Sequence, residues 1–300
     1  MMKYPIKIIS SFLLIILITS CAQEVEIDTG EFVPRIVIEG YIENDEYPWI
    51  NITNNQEFFK DINLDFTSEE GITTLLNLFV MDAEVTVTDG TTIDTLEFMI
   101  APEIFEGIYV WPPVKYQGSK IIGEVGKSYY MKVVHNDKVY TATTTITEPL
   151  IPDSVGVEYS LRNDKDCWIH VRIHDNPDEY NYYNCYSKRL GKDNYFTECL
   201  LCLWNDQFFN GLDFEATVYR GYSSTFAMDT IESNLSDIGQ YAVGDTVILK
   251  VLTMDAASFN FWQSTEHSNN PHSNINGDAL GVWCGYGVYY TDPIIISEKP

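Results

Sequence analysis

The residues best placed to do chemistry are Leu17-Ile18-Thr19-Ser20-Cys21, where an apolar run ends in small residues and then a cysteine. This is a lipobox. A signal peptidase cuts before such a cysteine, its thiol takes a diacylglyceryl group, and its new amine takes a further acyl chain. Lys3 and Lys7 form a positive leader, and Phe12 to Ile18 form an apolar segment too short to span a bilayer, so residues 1–20 read as a signal peptide. Each buried methylene contributes about 0.8 kcal/mol, so several chains on Cys21 hold the protein firmly at a membrane. The plainer alternative is an ordinary secretory signal with a coincidental cysteine.

Five further cysteines, Cys167, Cys185, Cys199, Cys202 and Cys284, all fall in the second half. In an oxidising envelope such clustering predicts structural disulfides, with at least one thiol left over from an odd number. Cys199-Leu-Leu-Cys202 is a single CxxC, which without a second pair is weak support for zinc or thiol catalysis. His170 and His174 stand four apart on an expected strand, on one face but about 13 Å apart, too far to chelate one ion unaided. His267, His272 and Asp278 could meet around a loop, with separate surface histidines as the plainer reading. Gly-x-Ser-x-Gly, HExxH, P-loop and GxGxxG patterns are absent, and acidic pairs such as Glu69-Glu70 are too common in so acidic a chain to mark a glycosidase. No catalytic residue, metal site or cofactor is expected, and an enzyme is the minority reading.

The stretch Asn269 to Gly287 concentrates asparagine and glycine, with Trp283 and Tyr286 interleaved. Aromatic anchors in a backbone-permissive loop gain contact area at low entropic cost, so Trp283, Tyr286 and Asn274 are the candidate partner contacts. A self-packed structural loop is the alternative.

The elements that must position these residues are mostly strands. Ala22 to Val33 is polar and acidic without periodicity, so residues 21–33 read as the acylated cysteine and a tether. From Pro34 the period becomes two: Ile36, Ile38, Gly40 and Ile42 alternate with Val37, Glu39 and Tyr41. Asp89-Gly90 between Ala83–Thr88 and Thr91–Phe98 predicts a hairpin, as does Asn136-Asp137 between Ser128–Val134 and Lys138–Ile146. Residues 34–148 thus read as an immunoglobulin-like β-sandwich. Leu64 to Leu78 reads as either one helical turn or a loop. Glu148-Pro149-Leu150-Ile151-Pro152 predicts a boundary, since prolines three apart cannot sit inside a central strand. Residues 153–300 follow as a second β-rich domain, sandwich or barrel. Its expected strands are Val155–Leu161, Cys167–Ile173, Asn181–Leu190, Leu212–Tyr219 and Val243–Thr253. One short helix capped by Asp255 spans Ala256 to about Glu266, the Gly/Asn-rich loop follows, and strands near Val282–Tyr290 and Ile294–Ile296 close the chain.

Loss of residues 1–20 takes Lys3 and Lys7, leaving 16 Lys and Arg against 44 Asp and Glu, a formal charge of −28. Nucleic acid is an unsuitable partner for such a surface. The acidity reads as a solubility device, with calcium sites or a cationic partner as alternatives. Aromatic content of 14%, including 20 tyrosines, excludes a disordered chain.

In their order, these segments resemble the Bacteroidota lipoprotein family catalogued as domain of unknown function 4249. The resemblance rests on the lipobox, Val37 to Ile42 (with Glu39-Gly40-Tyr41), Asp82 to Val87, Gly107-Ile108-Tyr109, and Gly126 before Tyr129 to Val133. It continues with Asp175-Asn176-Pro177, Asn181-Tyr182-Tyr183, Gly244 to Val247, Phe261-Trp262, Ser273-Asn274-Ile275, Gly281-Val282-Trp283 and Gly285-Tyr286. The chain departs from the family at Asp278-Ala279 and around Cys199 to Cys202. Many members are encoded beside TonB-dependent outer-membrane receptors. The resemblance therefore implies an outer-membrane lipoprotein, attached through its lipid on the periplasmic or the cell-surface face, that acts as a binding accessory to a TonB-dependent transporter. A structural or adhesive surface lipoprotein is the alternative and an envelope hydrolase the third.

Overall fold

The computed structural model describes residues 33–56, 68–101, 113–161, 166–221, 239–267 and 271–299. The signal peptide, Cys21 and the tether before Val33 lie outside the described residues. The chain is mostly β, as its period-two runs require. It runs Ile36–Glu43 (β1), Trp49–Asn54 (β2), the helix Glu69–Leu76 (α1), Glu84–Thr88 (β3), Ile93–Thr95 (β4), Glu97–Ile100 (β5), Val114–Gln117 (β6), Ser128–His135 (β7) and Lys138–Thr145 (β8). Then come Ser154–Tyr159 (β9), Asp166–His174 (β10), Tyr182–Arg189 (β11), Thr197–Glu198 (β12), Trp204–Asn205 (β13) and Asp213–Val218 (β14). Tyr241–Ala242 (β15), Thr246–Met254 (β16), the helix Ala256–His267 (α2), Ala279–Tyr290 (β17) and Ile294–Ile295 (β18) complete it.

Local chemistry explains the connections. Asn136 and Asp137 both take positive φ, 49° and 59°, the primed turn that joins β7 to β8 without splaying them. The Asp89-Gly90 turn is longer than a two-residue hairpin. The Asp89 carboxylate accepts from the Thr91 and Thr92 N–H groups, and the strand expected through Phe98 breaks at buried Leu96, so that β4 pairs with β3 while β5 pairs with β6. Ser68 caps α1 by accepting from the Gly71 N–H, with Glu69 and Glu70 in the first turn where the helix dipole favours them. Among the described residues two helices thus stand where one was expected. The predicted cap of α2 forms: Asp255 Oδ1 accepts from the Ser258 N–H at 2.8 Å.

Among the described residues ten strands make one large sheet in the order β12-β11-β16-β17-β1-β2-β6-β5, with β13 beside β11 and β18 beside β16. Two four-stranded sheets, one of β4-β3-β7-β8 and one of β9, β10, β14 and β15, complete the set, and no sheet closes into a barrel among the described residues. The pleat of the large sheet decides what packs where, because side chains alternate between its faces. Ile36, Ile38, Ile42 and Trp283 meet Val85, Val87, Tyr129, Met131 and Val133 of the first small sheet. Cys185, Val247, Leu249 and Val251 meet Cys167, Ile169, Val171 and Ile173 of the second. The pairings Cys185 with Val251, Val251 with Tyr289, and Gly40 with Trp283 put both contacts on the same face. The opposite face carries α2, packed on Leu252, Met254, Val282, Cys284, Tyr286 and Val288.

The boundary expected at Glu148–Pro152 marks a change between the two small sheets, not a division into two domains. From Pro34 onward the described residues cluster as one compact unit. β1 lies parallel to β17 along its whole length, Ile36 to Glu43 against Ala279 to Tyr286, and Ile275, Ala279 and Trp283 belong to the core of the first half. The glycines expected to shape a loop lie in β17 instead. A Cβ on Gly281 falls 1.9 Å from the Ile38 carbonyl oxygen, and one on Gly287 falls 2.2 Å from that of Thr147. The glycine spacing lets neighbouring backbone cross β17 closely.

Candidate functional site: an aromatic and acidic cleft

On the face of the large sheet that carries α2, alternate residues of adjacent strands line a cleft of about 700 Å³. β1 contributes Glu39, Tyr41 and Glu43, β16 contributes Lys250 and Leu252, and β17 contributes Tyr286. Trp262 of α2 and the segment 195–203 wall it in. Period two is the reason: the residues of β1 that do not face the core must face here.

The rings form one cluster. Tyr41 stacks on Tyr286 at 5.2 Å between centroids and meets the edge of Trp49 at 4.6 Å. The Trp262 indole N–H donates to the Tyr286 hydroxyl at 2.9 Å, which ties the helix to the sheet. Burial pushes the Tyr41, Tyr186 and Tyr286 phenols well above their ordinary range, so they stay protonated donors. Tyr41 uses its hydroxyl to donate to Glu39. Burial also raises the Glu39 carboxyl, and the Tyr41 hydrogen bond only partly opposes the shift. Lys250 pairs with Glu43 at 2.6 Å and lies 5.8 Å from the Tyr290 ring centroid. The Asn184 amide donates to Glu198 at 2.6 Å. Three carboxylates and one ammonium among the lining residues leave the cleft electronegative.

The residues expected to meet a partner are placed differently. Trp283 is 0% exposed, with its indole N–H donating to the Tyr129 carbonyl at 3.0 Å, so it is a core residue and presents nothing to a partner. Asn274 is spent on the same strand: its side chain accepts from the Trp283 N–H and donates to the Trp283 carbonyl, both at 2.9 Å. Tyr286 alone of the three reaches the cleft, from the sheet face opposite Trp283. Residues 268–270 of the expected loop lie outside the described residues.

The expected disulfides do not form. Cys167, Cys185, Cys199, Cys202 and Cys284 are all free and buried. Cys284 lies in the layer beneath α2, where burial pushes its thiol up to about 12, and Cys167 is pushed up to about 11 by burial in the second core. Cys185 and Cys202 are raised first by hydrogen bonding to Cys199 and then by burial, so these two stay protonated, whereas at Cys199 burial is outweighed by the hydrogen bonds it receives from Cys185 and Cys202, which hold its thiol well below the ordinary range. His170 and His174 serve separate partners: His170 lies 3.1 Å from Glu158, and His174 lies 2.7 Å from Asp213, which also takes Arg172. His272 and Asp278 are exposed, and the His267 side chain lies outside the described residues. Among the described residues no three His, Cys, Asp or Glu side chains converge as a metal site.

Sequence reasoning missed Glu39 and Glu43 although their signal was present. The Ile36-Ile38-Ile42 face explains one side of β1, and a Glu-x-Tyr-x-Glu alternation on the other needs its own explanation.

Fold and cleft together define a mostly β protein of layered sheets with a concave aromatic face. The family model described as domain of unknown function (DUF4249) matches residues 22–282, and the chain belongs to that family. No curated protein gives a match.

Proposed function

We propose that this chain is a lipid-anchored outer-membrane protein whose work is binding, as an accessory to a TonB-dependent transporter, and that the cleft is its ligand seat. The observation that carries the reading is the cleft itself, about 700 Å³ of aromatic wall around Glu39, Glu43, Glu198 and Lys250. A cavity of that size suits a small organic molecule. Aromatic faces attract a cation through the ring quadrupole and carboxylates attract it through charge, so the ligand class is an organic cation with an apolar body.

Choline is a suitable probe, read by quenching of tryptophan fluorescence from Trp49 and Trp262. Its uncharged isostere 3,3-dimethylbutan-1-ol is expected to bind about tenfold more weakly, the scale of one cation–π contact. Glu39→Gln weakens choline binding without lowering the melting temperature, because the raised Glu39 carboxyl makes its ionised form unfavourable to the fold. The signs are opposite: the stability tied to Glu39 is full below the ordinary carboxylate range and falls as pH rises through its raised pKa, whereas choline affinity falls as pH drops through it. Equal affinity for the two probes, or an unchanged affinity in Glu39→Gln, overturns the cation reading.

The anchor has its own test. Cys21→Ser is expected to move the protein from the membrane to the soluble fraction, and the parent purified in mild detergent to bring an outer-membrane barrel with it. Retention of Cys21→Ser on membranes after a high-salt wash, with no partner recovered, overturns the lipid anchor.

A further inference from the structure

Away from the cleft, the loop between β10 and β11 and the loop between β13 and β14 are sewn together around two carboxylates. Asp175 and Asp206 are each 0% exposed. Asp175 accepts from the Tyr183 hydroxyl at 2.5 Å and from the Gly211 N–H at 2.8 Å. Asp206 Oδ2 accepts from the Asn181 N–H at 2.7 Å, and the Asp206 N–H donates to the Asn181 carbonyl. Neither carboxylate has a Lys, Arg or His within ion-pair distance among the described residues. Burial first, and then the charge of Asp175, lift the Asp206 carboxyl, which places the two acids within reach of each other's field.

Three side-chain oxygens in these loops are buried without a hydrogen-bond donor: Asp206 Oδ1, Asn181 Oδ1 and Asn210 Oδ1. Asn181 is joined to Asp206 by the backbone, and Asn210 follows Asp206 by four residues in the same run of turns. All three atoms are acceptors. Buried polar atoms are almost always satisfied, and a buried carboxylate without a counter-charge costs several kcal/mol. A set of carboxylate and amide oxygens with excess negative charge matches a hard cation, and calcium takes several such protein oxygens directly whereas magnesium keeps most of its waters.

From three unpartnered buried oxygens on loops that these hydrogen bonds tie together, we infer that Asp206, Asn181 and Asn210 form a calcium site that clamps the loop after β10 to the loop after β13, with Asp175 as the second negative charge. The site uses amide oxygens beside its carboxylates, so it differs in kind from a cluster of three acidic, histidine or cysteine ligands. It is independent of the cleft and of the ligand proposed there.

Terbium, a luminescent stand-in for calcium, provides the test on the full chain, excited through the neighbouring Tyr183. The parent is expected to show terbium emission that calcium displaces, and to melt about 5 °C higher in calcium than in a chelator, the shift that a ligand at about a hundred times its Kd produces. Asp206→Asn keeps the shape and removes the charge, so it should lose the emission and the calcium-dependent shift while melting in chelator no lower than the parent. Asn210→Ala, a milder change near the surface, should weaken terbium binding by about tenfold and decides the matter alone if Asp206→Asn does not fold. Absence of calcium-displaceable emission in the parent overturns the site. So does equal emission from parent and variants, which would place the ion elsewhere on the acidic surface.

Discussion

Trp283→Ala is expected to melt about 10 °C below the parent, from a loss of about 3 to 5 kcal/mol in stability. The side chain is 0% exposed and lies between the large sheet and the first small sheet. Its removal leaves a cavity that neighbours fixed in two sheets cannot collapse into, and it orphans the Tyr129 carbonyl that accepts its indole proton. Thermal unfolding followed by circular dichroism measures the loss. Choline binding per folded molecule should be unchanged, since Trp283 points away from the cleft. A variant that melts with the parent would show that the residue is not the keystone of that core.

Gly281→Ala should fail to give soluble folded protein. Gly281 has φ of 116°, and its Cβ would lie 1.9 Å from the Ile38 carbonyl oxygen, a main-chain atom that cannot swing aside. The backbone cost alone is about 1 to 3 kcal/mol, and the overlap adds to it by forcing β17 away from β1. Gly126→Ala is the control: φ is positive there too, at 77°, but a Cβ meets nothing within 4 Å. It should cost only about 1 to 2 kcal/mol and remain soluble. Comparing soluble yields and melting curves separates close approach from backbone conformation, and a soluble, parent-like Gly281→Ala would refute the packing argument.

Much of the architecture was legible because its signals are local. Alternation marked β1, the runs that became β10, β11 and β16 read as strands, the Asn136-Asp137 pair marked a tight turn, and Asp255 marked a helix start. What escaped was decided between distant segments. Alternation says that Ile38 and Glu39 face opposite ways, but not that a second sheet covers one side and a cleft lies on the other. Leu96 ends β4 because it packs into a core built from other strands, which no neighbouring residue announces. Gly281, Gly285 and Gly287 carry the signature of a loop, yet they serve backbone arriving from β1 and from the segment after β8. Trp283 was misplaced for that reason: aromatic residues among glycines read as a mobile surface until the crossing backbone is known. Tyr286 was singled out for the wrong neighbourhood, and only the register of β17 against β1 brings it beside Tyr41.

The pairing of β1 with β17 also governs the order in which the molecule can assemble. Ile36 and Ala279 are neighbours in the sheet but about 240 residues apart in sequence. Synthesis delivers β1 about 240 residues before β17, so the sheet cannot close across its middle until that whole stretch has been made. Contacts of such long range are slow to form, because the loop entropy must be lost before the pairing stabilises anything. Domains that fold as they emerge lock their first half while the second is still being made. This chain lacks that shortcut across the middle of its large sheet: one edge of β1 stays unpaired until β17 has been made.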